Sequence, residues 1–331
     1  MSAPAATRAR APVALCGLDP RTYEPHRLHL PPRTYLETNC YADALIELVH
    51  ARGGEPLAML GFTLATDWDG DQFTYAKPPA ADLRLLYGID VHEMLPYRPL
   101  DEHIELALSQ GRTLMLEADA WHLPDTAATS YRREHLKTTI VAEAIDPAAQ
   151  RLRYLHNAGL FELEGEDYRG ALALDADRAA GAMEPFCELV RFDAGPALRG
   201  AQLRECALSL AAEHLRRRPR RSPFEAWGQR LGEDLERLAG GTEGDYHAYA
   251  FVTVRMAGST FELSAEHVDW LLGERGAAAA AHLRQIVETT KVLSFRLARR
   301  RPFDSAPAIA ALTGAWEAAT SELERALPCS S

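Results

Sequence analysis

The hydrophobic pattern of the chain changes rhythm near Pro196. Before that point apolar residues come in short runs broken by Gly, Pro and Asp, which suits strands and short helices. Beyond it they recur with the 3.6-residue period of helices over long stretches. Leu198 to Arg216, Phe224 to Leu238, Tyr246 to Met256, Ala265 to Arg275, Ala277 to Ala298 and Ala306 to Leu327 together predict a helical bundle. In the earlier part, Leu45, Ile46, Leu48 and Val49 form one face of a helix that Thr38 or Asn39 can cap and Gly53-Gly54 stops. Cys40 falls in its first turn. Leu57 to Ala65 is apolar enough to be helix or strand, and the Asp-rich turn from Asp67 leads into a short strand, Phe73 to Ala76, ended by Pro78-Pro79. Helices Ala81 to Tyr87 and Leu100 to Gln110 follow, then strands Thr113 to Ala120, Leu136 to Ile145 and Arg151 to His156. The turn Asp146-Pro-Ala-Ala-Gln makes the last two an antiparallel hairpin. The predicted fold is α+β: a loose tail over 1–12, an α/β unit with an antiparallel sheet over 13–195, and an all-helical unit over 196–331.

Charge and cysteine content narrow the function classes. With 331 residues and a net charge of -11, the chain lacks the clustered cations that a phosphate backbone demands, so no nucleic-acid partner is expected. The one basic run, Arg216 to Arg221 around Pro219, reads as a solvated loop. No apolar run reaches the roughly 18 residues of a membrane span, and no basic segment precedes an apolar core at the N-terminus. A cytoplasmic protein with no membrane partner is therefore expected. Cys16, Cys40, Cys187, Cys206 and Cys329 are widely spaced without a C-x-x-C pair, which predicts reduced thiols and no metal site. Asp67, Asp69 and Asp71 around Gly70 lack the glutamate that would complete a calcium loop.

The candidate chemistry centres on Cys40. Unpaired N–H groups and the dipole at a helix N-terminus favour thiolate over thiol, which suits a nucleophile. Such a nucleophile needs a base oriented by a third polar group. His135, at the entrance of the strand beginning Leu136, is the candidate base. Asn157, at the end of the returning strand, is the candidate orienting group, with Asp146 as a competitor whose Asp-Pro context favours a turn. Asp119, His122 and Asp125 flank Pro124 and could line a cleft as acceptor-binding groups.

Asn39-Cys40 opening a helix, then Glu117-Ala-Asp119-Ala-Trp-His122-Leu-Pro124, His135 before a strand and Asp146 at a turn resemble the butirosin-biosynthesis acyltransferase family. More closely, Glu37 to Gly165 is similar to a bacterial family of unassigned function related to it. The resemblance implies a papain-like or C39-peptidase-like fold. It also implies that an acyl or aminoacyl group passes from a carrier-protein thioester, through Cys40, to a small amine acceptor. Carried onto this chain it gives Cys40 as nucleophile, His135 as base and Asn157 in third place, where an Asp would be expected. Phosphopantetheine enters only as part of the carrier-protein substrate, and no dissociable cofactor is implied. Arg132, Arg133 and Lys137 could meet its phosphate. The oxyanion would be held by the Cys40 N–H and a side-chain donor, with Asn39 as candidate. An amidase or peptidase, and a non-catalytic binding protein of the same fold, remain as alternatives.

Overall fold

The computed structural model describes residues 12–175, 184–299 and 303–327. All but Pro12 of the expected tail, and Cys329, lie outside them. The protein is mixed α/β, with an antiparallel sheet and a helical C-terminal region. Its residues group into two compact units that interleave along the chain: Met1–His26, Asp43–Gly54 and Gly88–Pro196 form the first, and Arg27–Ala42, Glu55–Tyr87 and Ala197–Ser331 the second. The sequence reading divides the chain once, near 196. Here two segments from the N-terminal half group with the helices instead.

The first unit is built on a seven-stranded sheet. Its strands are β1 (Val13–Ala14), β2 (Asp90–Met94), β3 (Thr113–Asp119), β4 (Lys137–Asp146), β5 (Arg151–His156), β6 (Gly159–Glu164) and β7 (Cys187–Arg191). The order is β2-β7-β3-β4-β5-β6, every pairing is antiparallel, and β1 joins β4 at Ala144 and Ile145. Helix α3 (Leu100–Ser109) places Leu100, Ile104, Ala107 and Leu108 in the core formed with Leu114, Leu116 and Ala118 of β3. Those spacings are the helix's one-face period and the strand's alternation. In β4 the core positions are Ile140 and Ala142, then Ile145. The parity switches because Glu143 is an extra residue opposite β5, a bulge between Ala142 and Ala144. The buried Glu143 carboxylate accepts the backbone N–H groups of Cys16 and Leu18 at 3.1 and 3.2 Å.

Strands β3, β4 and β5 lie within a residue of their predicted bounds. β2 and β7 are not evident from sequence: Asp-Val-His-Glu-Met and Cys-Glu-Leu-Val-Arg carry no clean alternation. β6 follows β5 through the two-residue turn Asn157-Ala158, with His156 paired to Gly159. Short α4 (Glu166–Ala171) comes next.

The second unit contains α2 (Ala80–Tyr87), α5 (Gly200–Arg217), α6 (Pro223–Ala239), α7 (Glu243–Ala250), α8 (Met256–Leu272), α9 (Ala277–Ala298) and α10 (Ala306–Ala326). The ambiguous segment Pro56–Ala65 is a 3-10 helix packed on α5 and α8. The strand expected at Phe73 to Ala76 is absent; Phe73 makes one isolated antiparallel bridge with Trp68. Helix α8 begins nine residues before the expected Ala265. Met256 to Ala265 are all buried, so no polar face marks the period. A π-helical turn, Phe251–Arg255, joins α7 to α8. Helix α1 (Cys40–Ala51) contributes Cys40 to Ala42 to the second unit and the rest to the first.

Candidate functional site

Cys40 is the first residue of α1, as predicted, and Asn39 is the cap. The Asn39 Oδ1 accepts the N–H groups of Tyr41 and Ala42 at 3.1 and 2.9 Å, while its Nδ2 donates to the Ala76 carbonyl at 2.9 Å. The side chain is thus a buried helix cap tied to the neighbouring segment. This corrects the expectation that Asn39 supplies an oxyanion donor. The group beside the thiol is Tyr75, whose hydroxyl lies 3.9 Å from the Cys40 Sγ and whose side chain is exposed. Sequence reading missed Tyr75 because nothing local links residue 75 to residue 40.

In the first unit, β3 ends at Asp119 and β4 begins at Lys137, paired directly across from it. That register places His135 next to Asp119. The imidazole Nδ1 is 2.6 Å from Asp119 Oδ2, while Asp119 Oδ1 accepts the Trp121 N–H at 3.0 Å. The Trp121 ring stacks on His135, 4.5 Å between centroids and 7° from parallel. With Nδ1 donating to a carboxylate, the neutral ring carries its lone pair at Nε2, the tautomer a general base requires. The His135 side chain is 69% exposed, so this pair is reachable.

The loop from 120 to 136 that closes this arrangement is pinned by buried polar groups. Asp125 accepts from the Tyr154 hydroxyl at 2.5 Å and pairs with His156 Nδ1 at 2.6 Å; His156 Nε2 lies 2.7 Å from the Thr138 hydroxyl. Burial and Asp125 push the Tyr154 phenol well up, so it remains a donor. A second pin is Asp167 at the start of α4, which accepts from Tyr131 at 2.9 Å and Arg132 at 2.6 Å. Arg132 takes a positive φ of 55° there.

Several sequence expectations are corrected by this geometry. Asn157 does not hold His135: it sits in the β5–β6 turn at φ 43°, a conformation asparagine tolerates well, and makes no hydrogen bond with the imidazole. Asp119, expected as an acceptor-binding group, is the carboxylate bonded to His135. Asp146 caps its own turn by accepting the Ala149 N–H at 3.0 Å. Arg132 is bound to Glu166 and Asp167, and Lys137 to Glu117 at 2.7 Å, so two of the three proposed phosphate ligands already have carboxylate partners, while Arg133 donates to the Ala128 carbonyl at 3.3 Å. His122 tucks against α4, where a Cβ on Gly170 would lie 2.2 Å from its ring, and its Nδ1 is 3.8 Å from Asp167. It is a packing residue beneath the loop. Asp67 accepts the Trp68 N–H and Asp69 the Thr74 hydroxyl, both contacts of a turn.

Burial disfavours the thiolate at the other described cysteines. Burial pushes the Cys187 thiol up to about 12, with Glu184 and Glu117 adding to the rise. Burial likewise raises Cys16 and Cys206. Neither these three nor Cys40 is in a disulfide. No described helix is long and apolar enough to cross a membrane.

Two family models match the chain. Residues 24–192 match the DUF1839 N-terminal domain and residues 200–325 the DUF1839 C-terminal domain. No curated protein matches it.

Proposed function

The chain belongs to the DUF1839 family, and from the butirosin-type resemblance of its sequence, together with the chemistry of Cys40 and His135, we propose that it is a papain-like, cysteine-dependent acyltransferase that moves an acyl or aminoacyl group from a carrier-protein thioester to a small amine. The observation that carries this reading is the exposed His135 imidazole, bonded to Asp119 and stacked on Trp121. A histidine locked by Nδ1 to a carboxylate is the base half of a nucleophilic triad. The nucleophile half is Cys40, at the capped N-terminus of α1.

In this reading the Cys40 thiol loses its proton to a base, for which His135 is the candidate, and the thiolate attacks the thioester carbonyl. The tetrahedral oxyanion is stabilised by the Cys40 backbone N–H and the Tyr75 hydroxyl. Collapse expels the carrier thiolate, which takes the proton from that base and leaves an acyl-Cys40. The acceptor amine then attacks that carbonyl, losing its proton to the same base, and Cys40 departs as thiolate with the amide released. A cytoplasmic setting is part of this reading, in line with five widely spaced cysteines that form no C-x-x-C pair.

Intact-mass spectrometry after incubation with a panel of acyl and aminoacyl carrier-protein thioesters tests the proposal. A mass gain equal to the acyl group, absent in Cys40→Ala, is expected, and adding amines discharges it as amide. Discharge by water alone, at the same rate with or without amine, would make the protein a hydrolase. No adduct with any thioester, while carrier-protein binding is retained, would make it a binding protein.

A further inference from the structure

The helical C-terminal half has no part in the chemistry just described, yet it holds the segments on both sides of the nucleophile. Residues 33–38, which lead into Asn39 and Cys40, form no regular element, so their backbone groups need partners from elsewhere. Glu262 of α8 supplies them. Its buried carboxylate accepts the Thr34 N–H at 2.6 Å on one oxygen and the Tyr35 N–H at 2.8 Å on the other, with Arg33 Nη2 at 3.4 Å. Two successive backbone N–H groups on one ionised carboxylate make a charge-assisted clamp.

One helical turn earlier, Gly258 makes room for the Tyr35 ring. A Cβ at Gly258 would come within 2.6 Å of that ring and of the Thr290 hydroxyl, to which the Tyr35 hydroxyl lies 3.5 Å away. Three residues before Gly258, Arg255 donates to the Glu37 carbonyl at 3.4 Å. Residues 255, 258 and 262 thus meet the same segment.

The π-helical turn serves the other side. The Val252 carbonyl accepts the Phe73 N–H at 3.0 Å. Phe73 lies two residues before Tyr75, and Ala76 receives the Asn39 amide. Insertions of this kind shift the helix's hydrogen-bond register and free carbonyls for other partners.

We propose that α8 and the π turn position the nucleophile, with Glu262 and Arg255 as positioning residues for Cys40; this rests on the reading of Cys40 as the reactive thiol. Neither side chain contacts the reacting atoms. They fix the backbone that delivers the thiol and the Tyr75 hydroxyl beside it.

The test compares Glu262→Gln and Arg255→Gln with Glu266→Gln, a charge removal on the same helix whose carboxylate pairs with Arg27 instead. Two readouts are taken on the full chain: the rate of Cys40 alkylation by iodoacetamide, resolved by peptide mass against Cys206 as internal reference, and hydrogen exchange over residues 33–38. In the two positioning variants the Cys40 rate is expected to fall by about fivefold or more. Protection over 33–38 falls with it, while Cys206 reactivity and the melting temperature follow the Glu266→Gln control. A Cys40 rate within about twofold of that control in both variants would overturn the inference, whatever happens to protection, because misplacement of a reacting group is felt in rate. So would unchanged protection over 33–38. Failure of the acyltransferase reading shows up separately, as the absence of an acyl adduct on the wild-type protein, and uses none of these variants.

Discussion

At the scale of single residues, the proposed acyl transfer depends on which nitrogen of His135 carries its proton. Asp119→Asn keeps the size of the side chain but lets the amide present either an acceptor or a donor to Nδ1, so the tautomer with a basic Nε2 is no longer enforced. The rate of Cys40 acylation is expected to fall by about 100-fold or more, with the melting temperature little changed. Stopped-flow or quenched mass measurement of the acyl-enzyme checks this. The thiols give a second prediction. Because burial raises Cys16, Cys187 and Cys206, iodoacetamide at neutral pH is expected to modify Cys40 first and those three more slowly. Peptide mapping reads the order of modification directly. Cys40 and His135 were legible as candidates because their local contexts, a capped helix start and a strand entrance, are written in adjacent residues. Asp119 was visible only as one carboxylate among several: its role depends on the β3–β4 register, which no neighbouring residue encodes. Asn157 failed as a candidate for the converse reason, since its turn-forming chemistry is local and is what the structure uses.

At the scale of elements, the β4 bulge shows how one inserted residue changes what a strand can do. Without Glu143 as an extra residue, Ile140, Ala142 and Ile145 could not share a core face. The same residue turns its carboxylate onto the N–H groups of Cys16 and Leu18. Glu143→Ala leaves two half-buried donors without their acceptor and is expected to cost about 2 kcal/mol, measured by chemical denaturation, whereas Glu143→Gln, which retains one acceptor oxygen, costs less. The elements that sequence missed share a cause. Strands β2 and β7 mix apolar and charged residues on both faces, and the start of α8 is buried all round, so neither shows the two-sided pattern that periodicity detects. Helices with a solvated face, such as α5, α9 and α10, were placed to within a few residues.

At the scale of the whole molecule, a buried histidine ties the second unit's stability to pH. His267 on α8 is fully buried, bonds the Leu57 carbonyl through Nδ1 at 2.7 Å, and has its pKa lowered to about 4 by desolvation and by His214, which itself pairs with Asp82. The folded value lies below the ordinary one of about 6.5, so the unfolded chain binds the extra proton first. Stability is therefore full above about pH 6.5 and lost as pH falls toward 4, by about 2 kcal/mol at pH 5. Denaturation midpoints across that range are expected to show this slope, and His267→Gln, which can still donate to Leu57, to flatten it. What the sequence by itself determined are the features that neighbouring residues dictate: the helical half, the hairpin of β4 and β5, the cap on α1 and the placing of Cys40 at a helix start and His135 at a strand entrance. Tertiary structure alone decided which carboxylate serves His135, which hydroxyl stands by Cys40, and that 27–42 and 55–87 group with the helices. Those choices depend on contacts between residues far apart in the chain, where burial and hydrogen-bond satisfaction, not local propensity, select the partner.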